Sequence, residues 1–193
     1  VKRSSSAIAI TPNGTTLLVV NPDSNSLSLV SLGTLTTVTE VPVGVDPRSV
    51  AVSPDGSTAY VANQGSDSLS IIDLTAKSAI TDVAVGDRPV GVTVSPDGRF
   101  IAVAELGDDT VRFLDATDLS TLSVVPVADR PHGLCFTPDG HRLLITHLLS
   151  GDVTILTVHP FTLYLPLIFK SPLTQYATSN TQPSNFPTLQ SPP

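Results

Sequence analysis

Thr11-Pro12-Asn13-Gly14, Ser53-Pro54-Asp55-Gly56, Ser95-Pro96-Asp97-Gly98 and Thr137-Pro138-Asp139-Gly140 are four copies of one short string. Each copy follows the last by 42 residues, with no insertion. Pro47, Pro89 and Pro131 keep the same step. So do the segments Val41-Pro42-Val43, Val83-Ala84-Val85 and Val125-Pro126-Val127. Three independent markers with one period define an internal repeat. Periods of about 40 to 50 residues belong to propeller blades or to helical arrays.

The residues between the markers separate those two. Within the second repeat, Ser49–Ser53, Thr58–Ala62, Ser68–Asp73 and Ala79–Val85 are short runs rich in Val, Ile, Ala and Thr. Turn residues divide them, and no run is long enough, with 3.6-residue periodicity, for a helix. Four short strands per repeat make a four-stranded antiparallel blade. In the repeated string, proline presets φ, Asp or Asn bonds its own backbone, and Gly takes the left-handed position. The string therefore reads as a hairpin turn between the first and second strands. Asp73 and Asp115 end third strands and read as backbone-bonding end residues, like Ser31 and Thr157.

The expected fold is all-β, a β-propeller of four 42-residue blades covering residues 1–169, near 5–46, 47–88, 89–130 and 131–169. Phe161–Phe169 falls three periods after Leu35–Val43 and is expected to be the outer strand of the fourth blade. Residues 170–193 are rich in Pro, Ser and Thr and read as a disordered tail or linker. Val1 aligns with Val43, the last residue of an outer strand. The chain contains no methionine, so it starts after processing or belongs to something longer. The expectation is the C-terminal part of a larger propeller, completed by remaining blades. A closed ring of four blades is the second option, and a ring completed by a second copy the third.

Composition narrows the function. With 10 Lys plus Arg against 17 Asp plus Glu, the net charge is −7. No basic stripe is present to meet phosphates, which argues against nucleic acid. No apolar run reaches the roughly 18 residues of a membrane span. The single cysteine, Cys135, excludes an internal disulfide and a cysteine zinc site. It aligns with Ala9, Ala51 and Thr93 and is expected to be small and buried. No Cys-x-x-Cys-His string is present to attach haem, no tryptophan to dock a quinone, and no nucleophile elbow or P-loop spacing. No cofactor is expected.

Tyr60-Val61-Ala62-Asn63, Ser70-Ile71-Ile72-Asp73 and Val85-Gly86-Asp87-Arg88-Pro89 together resemble the YVTN family of β-propeller repeats. The first, third and fourth repeats give Val19-Val20-Asn21, Val103-Ala104-Glu105 and Ile145-Thr146-His147 at the matching place. The resemblance covers about residues 1–158. It implies a propeller similar to those of surface-layer and adhesive proteins, and also of lactonases and haem-d1 proteins. Fold-level likeness carries no chemistry by itself.

In an up-and-down blade, the second-to-third turns and the blade-to-blade connections share one face, here called upper. That face is expected to gather Arg48, Arg88, Arg130, His132, Glu105 and His147. Recurrent charges in a repeat more often tie blades together than bind ligands, so the three arginines also read as bonds to carbonyls or to Asp46, Asp87 and Asp129. His132 replaces Ser6 and Val90, while Glu105 and His147 replace Asn21 and Asn63. Departures from a repeat mark candidate sites. Two His and a carboxylate are also divalent-metal ligands, but no local spacing motif supports a metal site.

The leading expectation is a non-catalytic secreted, periplasmic or cell-surface propeller. It would bind a protein, glycan or cell-wall partner through its upper-face loops. The alternative is a lactonase-type hydrolase with a His/Glu or metal site at the centre of that face.

Overall fold

The computed structural model describes residues 7–158. The first blade is β1 (Ile8–Ile10), β2 (Thr16–Asn21), β3 (Ser26–Ser31) and β4 (Thr36–Pro42). The second is β5 (Pro47–Val52), β6 (Thr58–Asn63), β7 (Ser68–Asp73) and β8 (Ser78–Ala84). The third is β9 (Pro89–Val94), β10 (Phe100–Glu105), β11 (Thr110–Asp115) and β12 (Thr121–Pro126). The fourth has three described strands, β13 (Pro131–Phe136), β14 (Arg142–His147) and β15 (Val153–Thr157). The expected outer strand at Phe161–Phe169 lies outside the described residues, as does the tail at 170–193.

Each sheet pairs its strands in sequence order, antiparallel throughout. Among the described residues the one helical turn is a 3-10 turn at Pro22–Ser24. The inner strands of blades two to four begin at Pro47, Pro89 and Pro131, the second proline series of the sequence. The all-β blade architecture expected from the repeat is the architecture found.

The repeated string closes the first hairpin of each blade by the chemistry of its own side chains. Ser53 Oγ donates to Asp55 Oδ1 at 2.5 Å and accepts the Thr58 N–H at 3.0 Å. Asp55 Oδ1 accepts the Ser57 N–H at 3.0 Å. Thr11 with Asn13, Ser95 with Asp97, and Thr137 with Asp139 repeat the bond. The glycines Gly14, Gly56, Gly98 and Gly140 have φ of +71°, +79°, +77° and +75°, a region that side chains avoid. Adjacent blades also touch here, because Gly98 lies over the ring of Pro54 and Gly140 over that of Pro96.

The core lies between blades. Alternation along each strand gives every sheet two apolar faces, front and back. Leu18, Leu27, Leu29 and Val41 on the front of blade one pack on Val50, Ala59, Val61 and Ile72 on the back of blade two. Tyr60, Leu69 and Ile71 pack in the same way on Val92, Ile101, Val103 and Leu114. Ala102, Val111 and Phe113 pack on Leu134, Phe136, Leu143 and Ile145. Each fully buried aliphatic side chain contributes roughly 1.5–3 kcal/mol, so three such layers hold the four sheets as one arc.

Candidate functional site

The blade-to-blade connection is built by three residues of one structural position, Asp46, Arg88 and Arg130. They take left-handed φ of 54°, 51° and 52°. Their N–H groups donate back to the preceding blade, to Asn25 Oδ1, Asp67 Oδ1 and Asp109 Oδ1, at 2.9, 2.9 and 2.8 Å. Their carbonyls accept the N–H of Gln64, Leu106 and Leu148 in the blade that follows. One residue thus ties two blades through its backbone alone. Its side chain is left free to vary in kind, which is why an aspartate and two arginines serve equally.

Just inside that connection the end of each second strand carries a second tie. Asn63 Nδ2 donates to Ser68 Oγ at 3.1 Å and to Ser70 Oγ at 2.8 Å, and Ser70 Oγ accepts the Gly44 N–H at 3.1 Å. In the third blade, Glu105 takes the place of Asn63 and Arg112 that of Ser70. Glu105 is completely buried. It accepts the Gly86 N–H at 2.7 Å, the Thr110 hydroxyl at 2.6 Å and the Arg112 Nε–H. In the fourth blade, His147 Nε2 pairs with Thr154 Oγ1 at 2.8 Å. His147 Nδ1 is buried with no partner among the described residues.

The connection runs against these side chains closely. A Cβ built on Gly44 would lie 2.6 Å from Asn63 Nδ2, and one on Gly86 would lie 2.5 Å from the Glu105 carboxyl. The corresponding residue of the next connection is Ala128.

The six candidate residues therefore divide. Glu105 and His147 are buried inside two different blades as structural ties. Arg88 and Arg130 sit in connections, where Arg88 Nε lies 3.4 Å from the Asp87 carboxylate. Arg48 and His132 occupy one structural position, the second residue of an inner strand, and both are exposed. Arg48 holds Asp46 at 2.9 Å.

Arg48 and His132 both line a cavity of about 470 Å³ to which all four blades contribute. The second blade adds Ser49 and Gln64, the third Val90 and Leu106. Ala7 from the first and Leu148 from the fourth complete the wall. The cavity thus lies where inner strands begin and second-to-third turns begin, on the upper face near the common axis. It is a concave, half-apolar site with one permanent cation, one imidazole and one carboxamide. Gln64, Leu106 and Leu148 were not singled out from the sequence. They share one place in the repeat, directly after the second strand, and that shared place was the available signal.

Among the described residues no three His, Cys, Asp or Glu side chains come together to hold a metal ion. No helix among them is long and apolar enough to cross a membrane. Cys135 is exposed, contrary to the buried position expected from its alignment with Ala9, Ala51 and Thr93. The reason is its place on the front of the fourth blade, where no described blade follows.

The family model described as "Lactonase, 7-bladed beta-propeller" matches residues 1–91. Hydrazine synthase of Kuenenia stuttgartiensis superposes with a TM-score of 0.73 and 31% identity, over 78% of this chain and 44% of that one. A functionally unknown protein from Desulfotomaculum acetoxidans gives a TM-score of 0.74 at 18% identity, over 86% of this chain and 55% of its own. Dihydro-heme d1 dehydrogenase NirN gives a TM-score of 0.71 at 20% identity, over 85% and 36%. No curated protein matches. The chain is built of β-propeller blades, and it spans between about a third and just over half the length of these solved structures.

Proposed function

We propose that this chain is a binding propeller of the secreted, periplasmic or cell-surface kind. It recognises a protein, glycan or cell-wall ligand at the upper-face cavity between Arg48, Gln64 and His132. One observation carries the reading: a position that differs in kind in every blade, Ser6, Arg48, Val90 and His132, is also a position whose described polar members line the cavity. Variation at a fixed point of a rigid scaffold is how loops acquire recognition. Arg48 offers two-pronged hydrogen bonding to a carboxylate or acidic sugar, and Val90, Leu106 and Leu148 offer an apolar bed.

Glycan-array and cell-wall pull-down screening of the intact chain tests this, with Arg48→Ala and His132→Ala as paired controls. Binding that is lost in both variants supports the reading. Binding that survives both places recognition elsewhere.

The lactonase-type alternative takes its support from the family-model match over residues 1–91, which is a likeness of fold. With Glu105 committed to Arg112 and Gly86, a hydrolytic site would rest on His132 and Arg48, with the imidazole as proton acceptor for water. Lactone hydrolysis by the wild-type chain that disappears in His132→Ala would favour it over simple binding.

A further inference from the structure

Asn13 is the one asparagine in the chain that is followed by glycine. Its counterparts in the other three blades are Asp55, Asp97 and Asp139. All four are exposed, and Asp55 and Asp97 are so with a blade on either side, so the exposure belongs to the turn itself. The turn is built to receive negative charge at this side chain. The Ser53 hydroxyl and the Ser57 N–H hold the Asp55 carboxyl below its ordinary value, and the Thr137 hydroxyl and the His141 N–H do the same for Asp139.

Blade one presents the same donors to an amide. Asn13 Oδ1 accepts the Thr11 hydroxyl at 2.7 Å, the Thr15 hydroxyl at 2.8 Å and the Thr15 N–H at 3.1 Å. Among the described residues these side-chain bonds all fall on Oδ1 and none on Nδ2, so the amino group is the part left to solvent. Three donors on one oxygen polarise Cγ, and each strengthens as that oxygen takes on charge. The next residue supplies a nucleophile. Gly14, at φ +71°, has no side chain to crowd the approach of its nitrogen to Cγ.

We propose that Asn13 is a site of self-modification: its own turn converts the amide to a carboxyl, giving blade one the aspartate that the other three blades already carry. The Gly14 nitrogen bonds to Asn13 Cγ and gives up its proton to water, while the charge collects on Oδ1 between the three donors. The Cγ–Nδ2 bond then breaks, ammonia leaves, and a cyclic imide remains. Water opens the imide at Cγ to give aspartate, or at the main-chain carbonyl to give isoaspartate, which lengthens the turn. The net reaction is amide plus water to carboxyl plus ammonia, and it adds one negative charge to the −7 of the chain. Against it stands the bond from the Gly14 N–H to the Thr11 carbonyl at 2.8 Å, which must open first. Releasing one neutral hydrogen bond is a barrier of about tenfold. Each donor to a developing oxyanion in a preorganised site is worth about 10²–10³ in rate, so the three donors outweigh that barrier.

Ageing of the folded 193-residue chain at mildly alkaline pH tests the proposal, read by anion exchange and by mass spectrometry of the tryptic peptide between Arg3 and Arg48. Wild type is expected to gain one negative charge and the mass difference of OH for NH2, placed by fragmentation at Asn13 and not at Asn21 or Asn25. Thr15→Val removes one hydroxyl donor. It is expected to slow the folded chain about tenfold, less than in a buried site because the turn is exposed, and to leave the rate in urea unchanged. Thr15→Ser keeps the hydroxyl and is expected to convert at the wild-type rate. A folded wild-type chain that stays intact while the urea-unfolded chain converts overturns the proposal, and this comparison needs no variant to fold. So does conversion at Asn21 or Asn25 with Asn13 intact, or a folded Thr15→Val chain that converts as fast as wild type.

Discussion

Glu105 and Arg112, seven residues apart and directly across no strand pair from each other, form an ion pair at the end of the third blade. Residues at the same spacing do the same work by other means in every blade: Asn21 with Ser28, Asn63 with Ser70, His147 with Thr154. The pair has changed in chemistry twice while keeping its place. Glu105→Ala would leave the Arg112 guanidinium, mostly enclosed, without its partner. A loss of about 3 kcal/mol in urea unfolding is expected. Glu105→Asn/Arg112→Ser, which restores the pair of the first two blades, is expected to recover all but about 1 kcal/mol. Equal losses for the single and double variants would refute the exchange.

Gly86→Ala places a methyl group against the Glu105 carboxyl and is expected to destabilise the chain by about 2 kcal/mol. The ordinary alanine at 128 shows that the connection itself accepts a side chain where the facing residue is His147. Thermal unfolding of Gly86→Ala checks this, and a midpoint within experimental scatter of wild type would contradict the close approach.

Asp67 and Arg88 make opposite predictions across one seam. Asp67→Ala removes the acceptor of the Arg88 N–H and is expected to cost about 1 kcal/mol. Arg88→Gly keeps that N–H and relieves a left-handed backbone, for a gain of about 0.5 kcal/mol. Chemical denaturation of both variants checks the sign, and a loss in Arg88→Gly would show that its side chain matters to the arc.

The Asp55 carboxyl is held below its ordinary value, first by the Ser53 hydroxyl and then by the Ser57 N–H. Asp139 is lowered likewise, first by Thr137 and then by the His141 N–H. A carboxyl lowered in the folded state contributes stability above the unfolded value of about 3.9, and that stability is lost as pH falls through the folded value. The hairpin turns are therefore expected to loosen under acid. Ser53→Ala should raise the Asp55 midpoint in an NMR titration, while an unchanged midpoint would assign the shift to the backbone alone.

Much of the fold was legible in the sequence because turns are local. The string at Ser53-Pro54-Asp55-Gly56 contains its own hydrogen bonds, so its spacing reveals blade number and phase directly. Strand bounds agreed within two residues in the second blade, where Ser49–Ser53 was expected and Pro47–Val52 is found. The site was less legible, since burial at the end of a second strand depends on the partner seven residues on. Glu105 looked like a departure from the repeat when read alone. Read with Arg112, it is a substitution of one tie for another. Cys135 was aligned correctly, but its exposure depends on whether a further blade follows.

The left-handed connection residues have a consequence for how such a molecule changes over time. Curvature is set by backbone groups at Asp46, Arg88 and Arg130 and by anchors at Asn25, Asp67 and Asp109. Nothing in that geometry depends on the charge of the connecting residue. The rim can therefore be rewritten from acidic to basic one blade at a time while the arc keeps its shape, so that recognition and architecture are inherited separately.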